Sequence, residues 1–161
     1  MKHALTMTVA LSAAVLATSA SAQAVTLECQ AGYFSRSWSE AGQEDEEGSR
    51  GAWRFTVDPA ARIVRLENAA PFLIDGSADT LNGSAHDVLV TENEISFCLI
   101  AEGCGVQLAG RHGGTYNVER SKLDRRQSTF HIRVRENDPG IRYRSDTQYF
   151  GDCAPAAERQ F

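Results

Sequence analysis

The chain has 161 residues, with 16 Lys and Arg against 21 Asp and Glu, for a formal charge of −5. That length suits one ordinary domain with a real core. The acidic balance argues against a dedicated nucleic-acid binder, which needs a basic face.

The first element is a leader. The opening "MKHALTMTVALSAAVLATSASAQ" has a short basic start at Lys2 and His3, then an uncharged run from Leu5 to Ala17. Ala20-Ser21-Ala22 forms an A-x-A cleavage site. These are the three parts of a secretory signal peptide. The apolar run is shorter than the ~20 residues that cross a bilayer, so no membrane span is expected. The reading is a signal peptide over 1–22 and a single disulfide-tied β domain over 23–161, periplasmic or secreted.

Past residue 22, period-two alternation dominates. "VTLEC" places Val25, Leu27 and Cys29 on one face, and "WRFTV" does the same for Trp53, Phe55 and Val57. "ISFCL" aligns Ile95, Phe97 and Leu99, while "TFHIRVRE" sets Phe130, Ile132 and Val134 against His131, Arg133 and Arg135. Such runs read as half-buried strands. We expect strands over 24–34, 50–57, 61–68, 72–75, 86–91, 94–100, 105–109, 115–120, 129–135 and 141–150. Turn residues separate them, for example "NGS" at 82–84 and "NDPG" at 137–140. A short helix has room only in 36–47 or 155–161. The fold class is therefore all-β: a small antiparallel barrel of about eight strands in a meander, with a β-sandwich as the alternative.

The polar run "SRSWSEAGQEDEEGSR", 35–50, does not match the spacing of a calcium loop. It reads as a solvated hairpin tip.

Cys29, Cys98, Cys104 and Cys153 all follow the leader. An even number in an exported chain predicts disulfides. The preferred pairing is Cys98–Cys104, which is local, with Cys29–Cys153 tying the first strand to the last. Zinc would want closer pairs, and a redox motif would want C-x-x-C. No metal and no cofactor are expected.

"GSAHD" holds Ser84, His86 and Asp87. In an extended strand His86 and Asp87 point to opposite faces, which disfavours a catalytic triad. His112 sits in "GRHGG", a hairpin turn. No nucleophile–base pair stands out, so no catalytic residue is assigned.

The basic residues are unevenly spread. Residues 23–100 carry 5 Lys and Arg against 13 acids; residues 101–161 carry 10 against 8. His131, Arg133 and Arg135 share an outward face, and Arg142 and Arg144 share the corresponding face of the next strand. Paired, they form an arginine-rich stripe able to hold an anionic glycan, a lipid headgroup or an acidic protein surface. Inward parity gathers Trp53, Phe55, Phe97, Tyr116 and Phe130, with Tyr143. These either fill the barrel or line a ligand cavity.

"GAW", 51–53, resembles the G-x-W start of the lipocalin family, and "SDTQY", 145–149, resembles that family's second motif. The resemblance implies a barrel and, by analogy of fold, a carrier. Residues 86–153 also resemble small exported bacterial β-rich proteins of unassigned function, through "ENEISF", "TYNVER" and "YFGDC". That likeness brings no catalytic residues. The expected function is a non-enzymatic, inhibitor-like binding module, monomeric, recognising a protein or an anionic envelope component. A carrier of a small apolar ligand and an enzyme of unfamiliar type are the alternatives.

Overall fold

The structure is a computed structural model that describes residues 23–69, 83–109 and 114–156. The expected leader, the expected strand 72–75, His112 and residues 157–161 lie outside the described residues. Eleven strands are present: β1 (Val25–Ser39), β2 (Gly42–Asp58), β3 (Ile63–Glu67), β4 (Gly83–Ser84), β5 (His86–Val90), β6 (Glu94–Cys98), β7 (Leu108–Ala109), β8 (Thr115–Val118), β9 (Ser121–Asp124), β10 (Thr129–Asp138) and β11 (Tyr143–Pro155).

Nine of them form an antiparallel path, β4-β3-β2-β1-β11-β10-β9-β6-β5, that nearly closes into a barrel. β8 pairs with β10, beyond β9, and carries β7 on its other side. The two ends of the path meet around Ala85, whose backbone N–H donates to the Val64 carbonyl at 2.7 Å. The all-β barrel expected from alternation is what the chain forms.

The interior follows the predicted parity. Trp53, Phe55, Phe97 and Phe130 are almost wholly buried. Trp53 stacks on Phe130 and on Tyr149, each at 5.4 Å between ring centroids. Phe55 meets Phe130 at 5.3 Å and Phe97 at 6.3 Å. These rings pack on one another, and the barrel centre is built from their contacts. Burial also pushes the Tyr149 phenol up to about 12.

Both disulfides form in the expected pairing. Cys29 and Cys153 are direct cross-strand partners on β1 and β11, joined at 2.03 Å across 124 residues of sequence. Cys98–Cys104 closes the loop after β6.

Three boundaries differ from expectation. Residues 36–47 form two strands and the turn at 40–41, not a helix: β1 and β2 continue as a long ribbon paired from Tyr33–Gly48 to Ser39–Gly42. Only 108–109 of the expected strand 105–109 is extended, because the Cys98–Cys104 bridge holds the preceding residues in turns. β11 starts at Tyr143, which leaves Arg142 in the turn with φ 50°. β9 was not foreseen at all: of its two inward residues, Ser121 and Leu123, only one is apolar, too short a pattern to read as a strand.

Candidate functional site

Beyond the barrel core, β2, β1, β11, β10 and β8 form a sheet whose outer face is set by register. Residues directly opposite one another share a face. One rung runs Asp45–Arg36–Asp146–Arg135–Asn117 across the five strands. The rung above runs Gln43–Trp38–Arg144–Asn137–Thr115, and the rung below runs Glu47–Phe34–Gln148–Arg133.

The middle rung is a chain of alternating charge. Arg36 forks onto Asp45 through Nε and Nη2, both at 2.8 Å. Arg133 forks onto Asp146, with its Nε at 2.8 Å from Oδ1 and its Nη2 on Oδ2. Arg135 reaches Glu119 at 2.9 Å and Asp146 at 3.8 Å. The Arg133 guanidinium, aided by Arg135 and Arg36, holds the Asp146 carboxyl below its usual range. Arg36 does the same to Asp45.

The structure thus sorts the expected arginine stripe. His131, Arg133, Arg135 and Arg144 share the outer face of β10 and β11. His131 is bonded to the Gln148 side chain at 3.2 Å. Arg133 and Arg135 are matched by Asp146 and Glu119. Arg142 stands apart in the turn, where it meets Glu40 at 3.3 Å with both side chains largely exposed. Arg144 differs from the rest: its guanidinium lies 4.3 Å from the Trp38 ring centroid, and among the described residues it has no carboxylate partner.

Arg144 and Trp38 border a groove of about 420 Å³. Thr115, Asn117, Arg135, Glu136, Asn137 and Asp146 also line it, with Gln107 at one side. That volume falls in the range of small-molecule sites, about 300–1,000 Å³. Asn117 has a buried Oδ1 with no hydrogen-bond partner among the described residues. A buried amide oxygen left so is costly unless a ligand or water supplies a donor. The four floor strands β1, β11, β10 and β8 each have a neighbour on both sides. Their backbone is engaged, so the groove addresses a ligand with side chains alone.

Trp38 was not foreseen. It belongs to the polar run 35–50, and only the register with Arg144 brings it to the groove. Tyr116, expected inside the barrel, lies at the groove margin. Ser84 and His86 are exposed, and the Asp87 carboxylate is taken by Arg120, which also donates to the Asp87 carbonyl at 2.9 Å.

No family model matches the chain, and no curated protein or solved structure matches it.

A second depression, of about 230 Å³, opens at the barrel mouth near the Cys29–Cys153 bridge. Val25, Leu27, Val57, Ile95 and Leu123 give it apolar walls.

Proposed function

We propose that the protein is an exported, non-enzymatic binding module that captures an anionic component of the cell envelope through the outer groove. The observation that carries this reading is Arg144: a cation in a concave, polar site, unmatched by any carboxylate among the described residues. An arginine held over an indole is already ordered, so less side-chain entropy is lost when it takes a ligand. Two disulfides and a packed core add rigidity to the floor beneath it, and they are compatible with an oxidising compartment.

The test is capture of envelope material by the immobilised protein, comparing wild type with Arg144→Glu. Reversal at Arg144 is expected to reduce capture at least tenfold. Reversal at Arg133 or Arg135 is a poorer probe, because each would also break the pairing with Asp146 and Glu119. Equal capture by Arg144→Glu and wild type removes the groove as the contact surface.

The apolar barrel mouth supports a second reading, a carrier of a small apolar molecule. That reading expects fluorescence of an apolar dye to rise on binding and to fall back in Leu27→Arg. A dye indifferent to that substitution excludes the mouth as its site.

A further inference from the structure

Resting on the groove as the binding site, we infer that the group it holds is a sugar acid, a pyranose ring carrying a carboxylate. Four features of the groove converge on that chemistry.

The first is charge. Arg135 and Asp146 face the groove together and are paired at 3.8 Å, and Glu136, which also lines it, has an interaction of its own, so among the described residues Arg144 is the groove cation without a carboxylate partner. A dense polyanion would place further charges against Asp146 and Glu119. A ligand with one charge among several hydroxyls meets one free guanidinium, and the planar arginine fork matches a carboxylate.

The second is the neutral lining. Gln107, Thr115, Asn117 and Asn137 offer both donors and acceptors. Hydroxyls, which also donate and accept, can satisfy such a set. Apolar or purely acceptor ligands cannot.

The third is Trp38. Arg144 covers one face of its indole, so the ring offers its other face as a flat apolar surface for the C–H face of a pyranose. The fourth is the floor itself. Every floor strand is paired on both sides, so an extended peptide has no free strand edge there for its own N–H and C=O groups. A sugar needs no such ladder.

The probe is a trisaccharide with one galacturonic acid and two galactose rings, the acid trimer, titrated by calorimetry into the full protein, beside an uncharged galactose trimer and inorganic phosphate. The acid trimer is expected to bind at least tenfold more tightly than either comparator. Trp38→Ala and Arg144→Gln should each weaken it at least tenfold, with Trp38→Phe and Arg144→Lys recovering part of the loss. Unchanged thermal unfolding of these variants keeps a folding defect from imitating the result. Equal binding of the two trimers overturns the carboxylate. Binding unaffected by Trp38→Ala overturns the sugar platform.

Absence of trimer binding is resolved by the envelope capture. If captured material resists periodate, which cleaves sugar diols, yet is destroyed by protease, and Arg144→Glu still abolishes capture, the sugar is wrong and the groove stands. If Arg144→Glu captures as wild type does, both fall together.

Discussion

Asp146 is the most connected side chain of the outer face. It accepts both nitrogens of the Arg133 fork, and Arg135 and Arg36 lie close enough to act on it. Its folded-state pKa is depressed, so it adds stability above the ordinary carboxylate pKa of about 3.9. That contribution is lost as pH falls through the lower, folded value. Asp146→Asn should cost roughly 1 kcal/mol at pH 7, a charged hydrogen bond discounted for partial exposure. The gap between variant and wild type in urea unfolding should narrow as pH falls below the ordinary carboxylate pKa of about 3.9. A gap constant with pH would mean the aspartate acts by shape and not by charge. The outward parity of Arg133 and Arg135 could be read from "HIRVRE". Their matching to Asp146 and Glu119 could not, because ion pairing depends on which strand becomes the neighbour. Arg144 and Trp38 are 106 residues apart in sequence, and only strand register joins them.

At the level of elements, three aromatic rings cover glycines directly across a strand pair. Phe150 lies over Gly32, Tyr33 over Gly48, and Phe130 beside Gly151. The missing side chain gives each ring its place, and the ring covers a backbone that glycine leaves bare. Gly151 is the tightest. A Cβ there would collide with the Gln30 carbonyl oxygen and sit 2.9 Å from Phe130 Cε1. Gly151→Ala should therefore destabilise by about 1–3 kcal/mol, the usual range for forcing atoms into a packed site. A shift of the urea midpoint toward stability, or none, would show that β11 can move away from β1. Above these glycines the ribbon of β1 and β2 continues as strand with polar residues on both faces. Alternation is a signal of a buried face, and residues 42–51 of β2 are all exposed. That is why the sequence showed the barrel strands clearly and the ribbon only as a polar run. β2 also absorbs an extra residue, Arg50, between the pairs Ala31–Gly51 and Gly32–Ser49. Gly51 takes φ 77°, as glycine does at such a bulge, and the Arg50 guanidinium lies 4.0 Å from the Tyr33 ring centroid.

For the whole molecule, the two disulfides should contribute unequally. On loop entropy alone, a closed loop of 124 residues stabilises by roughly 5 kcal/mol and one of 6 residues by roughly 2 kcal/mol. Removing Cys29 and Cys153 together should cost more than removing Cys98 and Cys104 together, as read from guanidinium unfolding of the two double variants. The opposite order would place the value of the short bridge in holding the loop before β7. The overall architecture was the most legible level. Alternation named the barrel class, and the even count of cysteines named the bridges. The order of strands around the barrel was not legible, since β10 pairs with both β8 and β9 and no local signal states this.

The pairing of β1 with β11 sets an order of assembly. β1 lies between β2 and β11, so one of its two edges stays bare until residues near 155 have arrived. A chain emerging N-terminus first could form the β1–β2 hairpin early, but the barrel could not be sealed, nor Cys29 find Cys153, before the last strand was delivered. Closure over so long a separation is slow, because the entropy of the loop is lost before its contacts form. The chain would then remain open for most of its synthesis, and the seal, once made, is covalent.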